Sequence, residues 1–277
     1  MVQSTHLKPW TSPFNSMVFT AEVAIGVRRT QYEALTTALS KLTTPIERPQ
    51  NLKQVVIKPS IYDPLLVGNT HVEVVREIIK FFRDLSPISV IESDNPVRST
   101  MEAFNKTGYT ELVSPATALV NLSNAPLSTV KMPGHFFTEH RMPLLLLQRV
   151  FFINVPTVKL EPDICSVAAG IKNLFGLLPE VEKNLYHSRI HDVLIDILSV
   201  FRPHLTIVDL TSLVIGDRTD GLAKEIGAII VGTDPVAVDA FCSDLLGVDP
   251  LGVSYLKQAY DLGLGEILLD RIRISGT

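Results

Sequence analysis

Short apolar runs alternate along the chain with stretches whose apolar residues recur every three or four positions. Gln54–Ile57 is a strand pattern that breaks off at Lys58-Pro59-Ser60. From His71 to Leu85, Val74, Val75, Ile78, Ile79 and Phe82 keep helical spacing. Ile88–Ile91 predicts a strand that runs into Glu92-Ser93-Asp94, and Thr100–Lys106 predicts a helix stopped by Gly108. Ala118–Leu122, Arg149–Val155, Thr206–Leu210 and Ala228–Val231 are further strand patterns, and Pro235–Leu246 reads as a helix after Asp234. At the front, Val18–Val27 and then Arg29–Leu42 predict a strand and a helix. Strands alternating with helices imply βαβ units. Strands that are apolar throughout imply a sheet buried on both faces. The expected fold class is α/β, with a mainly parallel sheet, helices on both faces and an inserted, mostly helical block.

That block is placed at residues 156–205, at the edge or top of the sheet, inside a single domain over 18–277. A flexible arm is expected over 1–17. Ser123–Pro143, with Pro126, Pro133, Gly134 and two histidines, is either a hairpin-bearing insertion or a loop over the sheet. Met1–Ser16 is polar and lacks the apolar core of a signal peptide. Leu144–Leu147 and Val150–Val155 are separated by Gln148 and Arg149. Both fall well short of the ~20 apolar residues that span a bilayer. No membrane partner is expected, and the protein is expected to be cytoplasmic.

Composition narrows the chemistry. The formal charge is -4, which disfavours a nucleic-acid binder, whose footprint is a basic surface. The 2 cysteines, Cys165 and Cys242, lie far apart and cannot by themselves make a disulfide framework, a four-cysteine zinc site or an iron–sulfur site. No Rossmann glycine fingerprint, Walker loop or hydrolase elbow is present, so no cofactor is identified.

The polar residues cluster at strand ends. Lys58, Ser60, Asp94, Lys159, Asp209, Thr233 and Asp234 all follow or close apolar runs. In an open parallel sheet such positions converge on one rim, where α/β proteins bind ligands. A lysine after an apolar strand is costly to bury without a partner. Lys58, Lys159 and Lys172 are therefore candidates to hold a carboxylate or phosphate, with a salt bridge to Asp94 or Asp209, or simple exposure, as the bland alternative. Asp234 also fits a helix cap before Pro235. His187 and His191 are spaced i, i+4, which on one helix face could chelate a metal. A surface role is the commoner outcome of that spacing, and acid–base or substrate contact is open for His191. Gly216–Gly221 reads as a solvated polar turn.

Several segments together resemble the domain of unknown function 362 family, whose members often accompany ferredoxin-type iron–sulfur modules. They are Val56–Ser60, Glu92-Ser93-Asp94, Thr107-Gly108-Tyr109, Ile153–Pro156 with Lys159, Gly170–Gly176, His191, Ile207-Val208-Asp209 and Gly232–Ala240. The family pattern has Asn where Ser60 stands and a Lys-Thr-His element where Lys159 is followed by Leu160 and Glu161. The cysteine clusters of many members are absent, so the resemblance implies an iron–sulfur role only through a separate partner protein.

The expected function is an enzyme acting on a small anionic metabolite in a crevice at the strand ends. Lys58, Ser60, Lys159, Lys172, Asn173, Thr233 and Asp234 would contact the substrate, and Asp94, His191 and Asp209 would move protons. The alternative is a non-catalytic metabolite-binding or assembly protein working with a redox or iron–sulfur partner. A weaker third option is a metal-dependent enzyme using His187, His191 and aspartates.

Overall fold

A computed structural model of the protein describes residues 19–161, 163–216 and 222–276. The arm expected over 1–17 and all but the first residue of the turn at 216–221 lie outside them. In chain order the elements are β1 (Ala21–Val27), α1 (Gln31–Lys41), β2 (Gln54–Pro59), α2 (Val72–Phe82), β3 (Ile88–Glu92), α3 (Thr100–Lys106), β4 (Thr117–Asn121), β5 (Leu127–Lys131) and β6 (Glu139–Pro143). They continue with β7 (Val150–Val155), β8 (Lys159–Glu161), β9 (Ser166–Ala168), α4 (Gly170–Asn173), α5 (Ile190–Val200), β10 (Leu205–Ile215), β11 (Leu222–Gly232), α6 (Pro235–Leu245), α7 (Ser254–Asp261) and β12 (Ile272–Ser275).

Among the described residues the main sheet has eight strands in the order β12-β1-β11-β10-β7-β2-β3-β4. Every pairing in it is parallel except those of β11, which runs antiparallel to both β1 and β10. The strands are apolar throughout because each feeds two cores. Val55 and Ile57 of β2 pack with α1, α2 and α3, whereas Val56 packs with α5, α6 and α7. Phe151 and Ile153 divide from Phe152 in the same way, as the two-residue period of a strand requires. Helices therefore cover both faces, and the α/β fold is as the pattern predicts.

Local chemistry sets the helix ends. Thr30 and Ser99 cap α1 and α3 by accepting from the Glu33 and Glu102 N–H groups at 3.2 Å each. Gly108 follows α3 with φ +79°, the left-handed conformation in which glycine pays no steric penalty.

The structure sharpens the expectations at three places. The block at 156–205 opens with the β8–β9 hairpin; its helix α5 packs on one face of the sheet, and its Lys172–Gly176 stretch closes over the strand ends beside Lys58. Of the two readings of Ser123–Pro143 the hairpin holds: β5 and β6 pair, and the buried Asp196 carboxylate ties them to α5 by accepting the N–H groups of His135, Phe136 and Phe137 at 2.7–3.1 Å. Finally, β10 and β11 are longer than the apolar runs that signal them. They form a hairpin of two 11-residue strands, so Asp209 lies mid-strand, not at a strand end. Because β11 is antiparallel, its carboxyl end meets the start of β10, with Gly232 opposite Thr206. Thr233 and Asp234 therefore leave the sheet at the start of β10, not at the carboxyl end of a parallel strand. Among the described residues, no helix is long and apolar enough to cross a membrane.

Candidate functional site

The carboxyl ends of β2, β3 and β7 open into a cleft of about 610 Å³ under the 156–205 block. Five cationic side chains line it, Lys58, Arg98, Lys159, Lys172 and Lys183, against three carboxylates, Glu92, Glu161 and Asp163. The walls between them are apolar, with Ile61, Leu66, Leu160, Ile164 and Phe175. Its size and mixed lining are those of small-molecule sites.

The floor is a buried ionic cluster. The alternation that sends Val56 to the core beneath the block sends Lys58 to the same face, and Lys58 is only 1% exposed. Its Nζ lies 2.5 Å from Glu92 Oε1 and donates to the Pro59 carbonyl at 2.9 Å. Arg98 reaches Glu92 Oε2 at 3.5 Å and donates to the Ser93, Tyr62 and Ile61 carbonyls. Burial pushes the Lys58 ammonium below its ordinary range against the pull of Glu92. Burial would raise the Glu92 carboxyl, but Lys58 and Arg98 outweigh it and hold it below the usual carboxylate range.

Asn173 ties the block to this floor. Its Nδ2 donates to Asn154 Oδ1 at 2.8 Å and to the Lys58 carbonyl at 3.2 Å, and Asn154 Nδ2 donates in turn to the Gly170 carbonyl at 2.8 Å. The start of α4 is set from behind by the buried Asp239 carboxylate, which accepts from the Gly170 and Ile171 N–H groups at 2.7 and 2.9 Å and from the Tyr255 hydroxyl at 3.3 Å. Burial raises the Asp239 carboxyl to about 7 despite these donors. Asp239 thereby positions Lys172 and Asn173 without touching the cleft.

The outer part of the cleft carries two further lysines. Lys172 Nζ stands 3.9 Å from Glu161 Oε2 and 5.0 Å from the centre of the Phe175 ring. Lys159 Nζ donates to Thr157 Oγ1 and to the Gly68 carbonyl. The His187 ring lies 5.6 Å from Phe175; burial pushes its imidazolium down, with Lys172 adding to the effect and Glu161 opposing it.

Lys58, Ser60, Lys159, Lys172 and Asn173 are thus brought to one place. Asp94, His191, Asp209, Thr233 and Asp234 do not line the cleft. Asp94 Oδ1 accepts from the Thr100 N–H at the start of α3 and from Asn121; burial would raise this carboxyl, but these donors hold it low. Asp209 accepts from the His71 and Thr211 N–H groups, which fixes the entry to α2. Asp234 caps α6 through the Val236 and Ala237 N–H groups and also holds Glu266 N–H. His187 lies in a 3-10 turn before α5, not on one helix with His191, and the His191 ring stacks on Tyr255 at 6.3 Å. Their i, i+4 spacing therefore does not put both rings on one α-helical face. Among the described residues no group of three or more His, Cys, Asp or Glu side chains could hold a metal.

Glu92, Arg98 and Lys183 are among the cleft residues that pattern reading passes over. Glu92 had a signal, since it closes the β3 run beside Asp94. Arg98 and Lys183 had none, because only the tertiary fold buries them.

A match to the family described as domain of unknown function (DUF362) runs over residues 55–244, which include every cleft residue named above. The chain is also similar to a thylakoid-associated protein of Synechocystis sp., with 28% identity over 120 residues. That alignment takes in 40% of this chain and 37% of the relative's length. The family match spans well over half of the sequence, from β2 almost to the end of α6, and the chain belongs to the DUF362 family.

Proposed function

We propose that the protein is an enzyme acting on a small carboxylate or phosphate metabolite held in the cleft at the ends of β2, β3 and β7. The observation that carries this reading is the surplus of cations among the charged groups of the lining, gathered around a pre-organised Lys58–Glu92–Arg98 floor. Fixed donors in a desolvated pocket stabilise an anion more strongly than the same groups in water. Lys172 and Lys159 are the groups suited to reach the ligand, because they line the outer cleft while Glu92 holds Lys58 and Arg98 at its floor. The apolar walls suit the carbon part of such a ligand. A reducing, cytoplasmic setting is part of the reading, supported by two buried free thiols.

The second reading is a non-catalytic holder of the same anion, working with a separate redox or iron–sulfur protein. What favours it is that Cys165 and Cys242 are both buried, so cluster ligands would come from another chain.

Calorimetric titration with inorganic phosphate and with pyruvate tests the shared part of both readings. Lys172→Ala and Lys159→Ala are expected to weaken binding at least several-fold with little change in melting temperature. Equal affinity in both variants and the wild type would overturn the cleft as the anion site. Turnover of a screened oxo acid or phosphate ester would favour the enzyme; stoichiometric capture of a ferredoxin-like partner without turnover would favour the holder.

A further inference from the structure

Among the described residues, Lys183 is a buried cleft cation with no ion pair within 4.0 Å. It is 6% exposed, and its Nζ donates to the Asp94 backbone carbonyl. Among the described residues no carboxylate lies within 4.0 Å of that nitrogen, and Glu92, the acid of the floor, is already taken by Lys58 and Arg98. An ammonium kept in such a place with no carboxylate in contact is costly, and a purely structural role would be met by a direct ion pair or by exposure. An amine used for chemistry needs the opposite arrangement: a desolvated nitrogen, neighbouring cations and an opening to a ligand. Lys183 has all three, since it lies in the cleft wall beside the Lys58–Arg98 cluster.

We propose that Lys183 is an amine nucleophile that forms an imine with the carbonyl carbon of an anionic oxo compound, a 2-oxo acid or related aldehyde acid. This rests on the anion-binding reading of the cleft, because the neighbouring cations would hold the substrate's carboxylate and aim its carbonyl at Nζ. The neutral amine's lone pair forms the C–N bond while the carbonyl π pair moves to oxygen. The nitrogen proton passes to that oxygen to give a neutral carbinolamine; its hydroxyl then takes a proton from solvent and leaves as water, and the protonated imine remains. No oxidant or reductant is required. Burial pushes the Lys183 amine down to about 8; Glu92 and, more weakly, Glu180 oppose this, and Lys58 and Arg98 add to it. A usable fraction is then neutral near physiological pH.

The test is reductive trapping. The full-length protein is incubated with pyruvate and sodium cyanoborohydride and then mapped by peptide mass spectrometry. The expected result is one reduced pyruvyl group concentrated on Lys183, saturable in pyruvate, suppressed by excess inorganic phosphate and rising in rate as pH passes about 8. Adducts spread over exposed lysines such as Lys80 and Lys257, with Lys183 unmodified, would overturn the proposal. Lys183→Arg should lose the cleft adduct, and if that variant does not fold, the wild-type peptide map decides. Phosphate binding measured in parallel separates the two levels. Binding without a Lys183 adduct sinks the imine alone; no binding of phosphate or pyruvate sinks the anion site and the imine with it.

Discussion

Gly176 stands directly against the ammonium of Lys58: a Cβ built on Gly176 would lie 2.7 Å from both Cε and Nζ of that lysine. No real Cβ makes such a contact, so any side chain at 176 must push Lys58 off Glu92 or lift the block from the cleft floor. Gly176→Ala is therefore expected to cost roughly 1–3 kcal/mol of stability. Phosphate affinity should fall at the same time, because the floor is displaced. Urea denaturation and calorimetry on the same preparation check both; an alanine variant with wild-type stability and affinity would show that the contact relaxes freely.

Breaking the floor from the acid side should be more damaging. Glu92→Gln leaves Lys58 and Arg98 buried without a counter-charge, and removing one partner of a buried pair costs about 3–5 kcal/mol. Lys172→Ala removes a less buried and longer pairing, where the median contribution is about 0–1 kcal/mol. The expected order in a urea melt is thus Glu92→Gln far below Lys172→Ala, with Lys172→Ala near the wild type. Similar midpoints for the two would place the ionic weight of the cleft outside its floor.

Asp239 carries a pH signature. Burial raises its carboxyl to about 7, whereas an unfolded aspartate titrates at about 3.9. Between those values the native chain holds a proton that the unfolded chain has released. Stability from this group is therefore complete below about 4 and is lost as pH rises toward about 7. Asp94, whose carboxyl is held low, runs the other way and loses its contribution as pH falls. The measurement is consequently a difference. Relative to Asp239→Asn, the wild type should lose roughly 2–4 kcal/mol across that window in chemical denaturation. A constant difference would mean that Asp239 is ionised throughout.

The lysine rim was legible because Lys58 and Lys159 each interrupt or follow an apolar run, and strand period plus parallel order carry both to one edge. Lys172 and Asn173 arrive there through the block, whose glycine-bounded segment is distinctive in sequence but whose seat on the sheet is not. The direction of β11 was illegible, since Ala228–Val231 reads the same in either sense and only its pairing with β1 and β10 sets it. Glu92 and Asp94 are both carboxylates just past one strand. Whether Glu92 or Asp94 turns inward depends on Lys58 and Arg98, which are far away in sequence. Lys183 carries no local signal at all. Its burial comes from the β3 end and the block meeting in space. Beyond α6, α7 and β12 went unread because their short, polar-interrupted runs have weak periodicity.

The reversal of β11 sets Asp234 to a structural task. Asp234 follows β11 at the start of β10 and does not line the cleft. Its Oδ1 accepts from the Val236 and Ala237 N–H groups, while its Oδ2 accepts from Glu266 N–H. Pro235 at the first helical position strengthens the capping role, since its missing N–H is not needed there. Asp234→Ala should then cost about 1–2 kcal/mol for the lost cap, with the freed Glu266 N–H adding to it. Phosphate affinity measured by calorimetry at a temperature where both proteins are folded should match the wild type within twofold. Asp234→Asn should recover part of the stability, because an amide oxygen still caps. A large loss of phosphate affinity in Asp234→Ala, with the fold intact, would mean that the rim at the start of β10 takes part in binding and that the cleft beside Lys58 is not the whole site.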